Sequence, residues 1–504
     1  MRWCFRILTE EQLAIVNSTE KVVMAISRAG VGKSYTAVRY AKKKSSEGHK
    51  ILYIVFNKSL QKSAEDDFKG VNNVTVSTIH SLAYKGTQAF RYKDKLTGSY
   101  NAKDLADDLN MRNFNDAGYL YYLWNKYLTS DYKNLDDFCE NHVKGNKQYK
   151  TKMIHKLEEL WKLKLDQSSD VKIEHNFYLK LFHIDGFKLI DDYTCLIADE
   201  VNDYNHLMKD MFINSKCEYK LALGDPQQTI YSFNGVAEDV FGEIAKATGG
   251  TKYPLSVSFR IGSENSMVCN HIYNDMSDGK EFVIFGENKN QKVYIKSHLE
   301  PKDFDKSCVL SRTNGALLDY AISGAKAGKW LGFVGGINNY KFDFYVNLYF
   351  FSRGIKQKDQ FFNKFRDWAE LLHYTEESED IELLSAINIV KRHNCKLPDY
   401  VKLIKEMTVK DTNKCDMLLS TVHRIKGATI SVPVFIGEDL VNLEKLQAQL
   451  DILDYENAPE SHLERFYKDC EEELNVLYVA LTRSNSCLYL NKDLTDYCRK
   501  KGIL

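Results

Sequence analysis

Only 6 of the 504 residues are proline, and the chain has no Pro-rich linker, no internal repeat and no low-complexity tail. That pattern excludes a solenoid array and domains held apart on stiff spacers. Net charge is missing too: Lys plus Arg and Asp plus Glu each number 69. Without a global basic field, any contact with nucleic acid must use local patches, stacking and backbone donors. No C-x-x-C pair occurs, and the 11 cysteines, Cys4, Cys139, Cys195, Cys217 and Cys308 among them, are odd in number and scattered. This argues against a disulfide frame or zinc site and for buried thiols in a reducing cytoplasm. No apolar run approaches the ~18 residues of a membrane span, and MRWCFRILTEEQ turns acidic too soon for a signal peptide. The expectation is a soluble cytoplasmic protein with no membrane partner. Apolar residues make up 44%, enough to fill two to four domains.

Short β-rich runs fall into two clusters. The first contains VVMAIS, KILYIVF, VTVSTIH, CLIADE and YKLALGD, and the second KVYIKSH, SCVLSRT, DMLLSTVH, VPVFIGE and SCLYLNK. Helical patterns separate them, so each cluster predicts a parallel α/β layer. A mainly helical stretch rich in Tyr, Lys and Asp interrupts the first cluster, and a second insertion interrupts the other.

The chemistry starts at SRAGVGKS, residues 27–34. A phosphate-binding loop reads G-x-x-x-x-G-K-[S/T], and Ser27 stands where its first glycine belongs. Gly30, Gly32, Lys33 and Ser34 retain the tight backbone, the cation and the hydroxyl, between a strand and a helix. Taken alone, the stretch also fits a Gly-rich strand-to-helix turn. CLIADEVND places Asp199 and Glu200 after an apolar run, suited to a magnesium ligand and a group that polarises water, though a solvated loop would look the same. In LALGDPQQTIYSFNG, Gln228 is within reach of a phosphate; Tyr231 and Phe233, two apart, suit either base stacking or a core. The run AKKKSSEGHK reads as a solvated helix end. In KGNKQYKTKMIHKLEELWKLK, Ile154, Leu157 and Trp161 form a core stripe, and Lys144, Lys147, Lys150 and Lys152 are open to phosphates.

SRAGVGKS, DEVND, GDPQQTIYSFNG, LSVSFR, STVHRIKG and EELNVLYVALTR, in that order, resemble motifs I to VI of the superfamily 1 DNA helicases of the UvrD/Rep/PcrA type. STIHSLAY is similar to motif Ib and LTEEQ to the Q motif, and FNKS with IEHNFYLKLF resembles the F-box DNA helicase branch, without an F-box. The resemblance implies an α/β fold of two RecA-like P-loop lobes, each with a mainly helical insertion. Lobe 1A would take residues 1–88 and 186–256, insertion 1B 89–185, lobe 2A 257–337 and 415–504, and a short insertion 2B 338–414.

The same resemblance implies ATP and Mg2+ as cofactors. Gln12 would read adenine and Phe259 stack on it. Ala29, Gly30, Val31, Gly32, Lys33, Ser34 and Tyr35 would surround the phosphates, Ser34 and Asp199 hold magnesium, and Glu200 activate water. Gln228 and Arg260 would face the γ-phosphate, with Arg483 as an arginine finger. Asn57, Thr78, His80, Tyr231, Phe233, Thr421 and His423 would contact DNA. The implied activity is that of an ATP-dependent DNA helicase that moves on single-stranded DNA 3′ to 5′ and unwinds duplex at single-strand/duplex junctions, alone or with a nuclease or a repair or replication partner. Two other readings stay open: a strand-stimulated ATPase that strips proteins, and a nucleotide-sensing scaffold. Asn202, Asn234 and Thr429 depart from the Gln, Arg and Glu usual in these motifs, at positions that couple nucleotide to DNA. No carboxylate-rich module follows EELNVLYVALTR, so a fused nuclease is not expected.

Overall fold

The computed structural model describes residues 7–98, 100–230, 236–276, 282–295, 299–359, 361–377, 381–443, 446–448 and 460–504. Two compact units result, one ending at Ser256 and the other running from Val257 to Leu504.

The strands of the first unit are β1 (Val22–Ser27), β2 (Ile51–Val55), β3 (Val74–Thr78), β4 (Cys195–Ala198), β5 (Tyr219–Gly224) and β6 (Thr251–Leu255). They form one all-parallel sheet in the order β3-β2-β4-β5-β1-β6. β2 and β4 are buried at every position, as central strands covered on both faces must be. One face packs through Met24, Leu52, Ile54 and Leu196, the other through Val23, Ala25, Tyr53 and Ile197. Between β3 and β4 the chain leaves the sheet for a helical segment with a core of its own, built on Trp124, Tyr127, Phe138, Leu157 and Phe177. Leu157 sits fully inside it, with Ile154 and Trp161 packed against it, so the apolar stripe read from the sequence is core.

In the second unit, β7 (Val257–Ser258) and β8 (Phe285–Gly286) pair as a small ribbon. The main sheet holds β9 (Lys292–Tyr294), β10 (Ser307–Ser311), β11 (Leu331–Phe333), β12 (Met417–Thr421), β13 (Val434–Ile436) and β14 (Cys487–Tyr489). It too is all-parallel, ordered β11-β12-β10-β13-β14-β9. Its helical segment between β11 and β12 differs from that of the first unit: Tyr340, Leu348, Leu371, Ile387 and Ile404 share one continuous core with Val309 and Leu419 of the sheet. A segment this short covers the sheet instead of forming a separate body.

Each sheet holds one strand that the apolar runs do not announce, β6 and β11, and both lie at sheet edges. β6 carries Pro254 and alternates in burial, and β11 is three residues long with Gly332 at its centre. Edge strands tolerate proline and shortness because one side needs no ladder partner. The described cysteines are free, and apart from Cys395 and Cys487 they are buried. Among the described residues no helix is long and apolar enough to cross a membrane.

Candidate nucleotide site

Two elements frame the phosphate-binding loop, β1 and the 14-residue helix α1 (Lys33–Ser46). Gly30 and Gly32 take positive φ, 75° and 81°, where a side chain is strained. At Gly32 space is short as well, since a Cβ there would lie 3.1 Å from Gln12 Nε2. Backbone of this kind, leading into a helix N-terminus, turns amide donors toward an anion. Ala29, Val31 and Tyr35 are buried around the loop. Ser27 ties the start of the loop to the end of β5, its Oγ donating to the Gly224 carbonyl at 2.6 Å. A glycine there would lose that buried bond, so the departure strengthens the frame.

Gln12 is 2% exposed. Its Nε2 donates to the Val31 carbonyl at 3.0 Å and its Oε1 accepts from the Thr9 amide at 3.1 Å, so its amide braces the loop from outside. Glu11, beside Gln12 in the helix Glu10–Asn17, pins that helix to the end of β6 through Ser256, accepting from its amide and its hydroxyl at 2.8 and 2.6 Å.

Lys33 Nζ meets Glu200 Oε1 at 2.8 Å, with both side chains largely buried. Burial works against the Lys33 charge, yet the carboxylates of Glu200, Asp199 and Asp225 outweigh it and hold its pKa above the ordinary lysine value. Asp199 ends the strand run of β4. Its Oδ2 accepts from Tyr53 Oη at 2.7 Å, and its Oδ1 accepts from the Glu200 amide at 3.0 Å. Burial, then the Glu200 charge, raises the Asp199 pKa, with Lys33 and the Tyr53 hydroxyl pulling the other way. Glu200 stands in the left-handed region at φ 52°, a conformation costing about 1 kcal/mol or more that clusters at functional sites.

Behind this group, Asp225 is fully buried and its pKa is raised by that burial, with Arg28 and Lys33 opposing. Gln228 Nε2 donates to Asp225 Oδ2 at 2.7 Å, and Arg28 Nη1 donates to Gln227 Oε1 at 2.6 Å. The short Asn202 still bridges the two strand ends, its Oδ1 accepting from the Asp225 amide at 3.1 Å. Gly224 makes this possible: a Cβ on it would lie 2.6 Å from Asn202 Oδ1. The pairing of a shortened side chain with that glycine is a signal that motif spacing does not carry, and the same holds for Tyr53 and Asp225.

Among the described residues no cluster of three or more His, Cys, Asp or Glu forms a dedicated metal cage. A magnesium held by one carboxylate, one hydroxyl and substrate phosphates needs none. The donor set of Asp199 and Ser34 fits that requirement, since Ser34 lies in the first turn of α1 and Tyr53 contacts both residues.

Arg260, Phe259 and Arg483 belong to the second unit. Arg483 is 1% exposed; its guanidinium donates to the Val479 and Ala428 carbonyls at 2.9 and 3.3 Å and to Thr482 Oγ1 at 3.3 Å. Arg260 Nη1 donates to the Thr482 carbonyl at 3.2 Å, so the two arginines converge on one residue. Phe259 is half-buried.

Five of the residues expected at DNA, Asn57, Thr78, His80, Thr421 and His423, lie at or just after C-terminal strand ends. Asn57 is exposed after β2 and caps the helix Lys58–Asp67. Thr78 and Thr421 end β3 and β12 in matching Ser-Thr-x-His turns, where Ser77 and Ser420 Oγ donate to the following carbonyl at 3.2 and 2.9 Å. Thr78 caps its helix, whereas Thr421 makes no such bond. His80 packs against His175 and Tyr178, and burial lowers its pKa; His423 is half-buried. Tyr231, Phe233 and Asn234 lie outside the described residues, and Thr429 is exposed.

Two all-parallel α/β layers, one carrying a glycine-turned loop, a lysine and two strand-end acids, are the architecture of two RecA-like lobes. A family model described as an AAA domain matches residues 11–234. F-box DNA helicase 1 of Gallus gallus is 26% identical over 526 residues, covering 97% of this chain and 49% of that protein. F-box DNA helicase protein 1 of Schizosaccharomyces pombe is 24% identical, covering 99% of this chain and 59% of the relative. A probable DNA helicase II homolog of Mycoplasma capricolum is 23% identical over 61% of this chain and 46% of its own length. Over nearly its full length the chain is a distant homologue of the two F-box DNA helicases, and it spans about half the length of the curated relatives it matches.

Proposed function

We propose that the chain is an ATP-driven DNA motor that moves 3′ to 5′ on single-stranded DNA and opens duplex ahead of it. The observation that carries this reading is the Lys33–Glu200 contact with Asp199 and Asp225 around it, at the base of a phosphate-binding loop. In this reading Lys33 holds the β- and γ-phosphates of ATP, and phosphate oxygens and Glu200 compete for its ammonium. Ser34 and Asp199 would hold Mg2+, which would supply charge neutralisation to the phosphates. Glu200 then takes the proton of the attacking water. Gln228, hydrogen-bonded to Asp225, reports the γ-phosphate to the polypeptide that follows it, where Tyr231 and Phe233 grip bases. Gln12 sets the loop beside adenine, Phe259 stacks on the base, and Arg260 with Arg483 stabilises the charge of the transferring phosphoryl group. Asn57, Thr78, His80, Thr421 and His423 line the strand path.

Unwinding rests on the likeness to named DNA helicases and polarity on the motif resemblance alone, and tailed duplexes test both. With ATP and Mg2+, a 3′-tailed duplex is separated at least about tenfold faster than a 5′-tailed one. Equal rates would overturn the polarity; turnover stimulated by single strands without separation of either substrate would favour a protein-stripping ATPase or a partner-dependent enzyme.

A further inference from the structure

A second ligand surface lies on the helical segment of the first unit, away from the phosphate loop. Helix Phe114–Thr129 presents Tyr119, Tyr122 and Lys126 at helical spacing on one face, and the start of helix Lys147–Leu165 adds Tyr149. The Tyr119 and Tyr122 rings lie 6.5 Å apart at 20°, and Tyr119 and Tyr149 6.2 Å apart at 27°, so three near-parallel rings make a ladder. Hydrogen bonds fix two of them: Tyr119 Oη accepts from the Lys144 amide at 2.8 Å, and Tyr149 Oη donates to Asp116 Oδ1 at 3.0 Å. Gly145, at φ 123°, lets the loop pass the third ring, since a Cβ there would meet Tyr149 at 2.8 Å. Tyr122 ends the ladder with 55% of its surface exposed.

Charge surrounds these rings. Lys126 lies 5.9 Å over Tyr122, and Lys144 and Lys147 are exposed beside Tyr149. Asp116 is already neutralised by Lys152 at 2.6 Å, whereas among the described residues Lys126, Lys144, Lys147 and Lys150 form no ion pair. His142 senses the field: burial and then Lys126 and Lys144 hold its pKa below the ordinary value, with Asp131 opposing. A fixed aromatic platform ringed by ammonium groups complements unpaired bases on a phosphate backbone better than an acidic peptide, which has no rings to stack.

We infer that this face is a docking surface for single-stranded DNA, with Tyr122 stacking on a base and Lys126, Lys144, Lys147 and Lys150 holding the neighbouring phosphates. It is separate from the ATP site and extends the proposed DNA binding. The test is nucleotide-free binding of a fluorescein-labelled thymidine oligomer, compared with a blunt duplex of similar length. Tyr122→Ala weakens the oligomer roughly 5- to 100-fold, and Tyr122→Phe restores it. Lys126→Gln with Lys144→Gln flattens the salt dependence by about 0.7 in log–log slope for each phosphate left unneutralised. Unchanged oligomer affinity in both variants would overturn the inference, as would a weakening confined to the duplex. Because no nucleotide is present and ATP turnover without DNA stays at the wild-type rate, failure here is distinguishable from failure of the ATPase assignment.

Discussion

Lys33→Ala lowers ATP turnover by about 10²- to 10³-fold or more, the scale for removing a preorganised donor from developing charge. The variant loses the cation that three carboxylates share, Glu200 at 2.8 Å with Asp199 and Asp225 nearby. The effect follows from the pKa direction: with its value held above the usual lysine range, Lys33 stays charged throughout the neutral range and offsets part of the burial that raises Asp199 and Asp225. Without it, both carboxyls are raised further, which weakens any hold on magnesium. Phosphate release under saturating ATP measures the loss, and circular dichroism confirms the fold. Wild-type turnover in this variant would remove the loop from the catalytic assignment.

Glu200→Gln separates binding from chemistry. Glutamine keeps an oxygen for the 2.8 Å contact from Lys33, so affinity for ATP stays within a few-fold. It has no basic carboxylate, so kcat falls about 10²- to 10⁴-fold, the usual contribution of a positioned general base. Comparing nucleotide affinity with single-turnover hydrolysis checks both halves. An unchanged kcat would return Glu200 to a structural role as the partner of Lys33.

Much of this was legible in the sequence because apolar runs and glycine spacing report what they physically require. Buried central strands need apolar runs, so β1, β2, β4 and β5 were visible, as were β10 and β12. Edge strands need less, and β6 and β11 passed unseen. The lysine run Ala41–Lys50 shows the same limit: read as solvated, it contains Lys44, which is 3% exposed, stacks 3.5 Å over Tyr219 and pairs with Glu47 at 2.9 Å. Charge in a short run says nothing about which member a distant ring will cover. In the candidate site, the meeting of Lys33, Asp199 and Glu200 was legible because each follows the end of a strand in one parallel sheet. Tyr53, the brace made by Gln12, the Ser27–Gly224 bond and the convergence of Arg260 with Arg483 on Thr482 were not, since each joins residues far apart in the chain.

The central claim is that triphosphate cleavage and strand binding belong to one machine, and steady-state phosphate release with and without an unlabelled single-stranded oligonucleotide tests it most directly. The account predicts at least about tenfold faster turnover when the strand is present, abolished by Lys33→Ala. Turnover that ignores the strand, or that survives loss of Lys33, would contradict it.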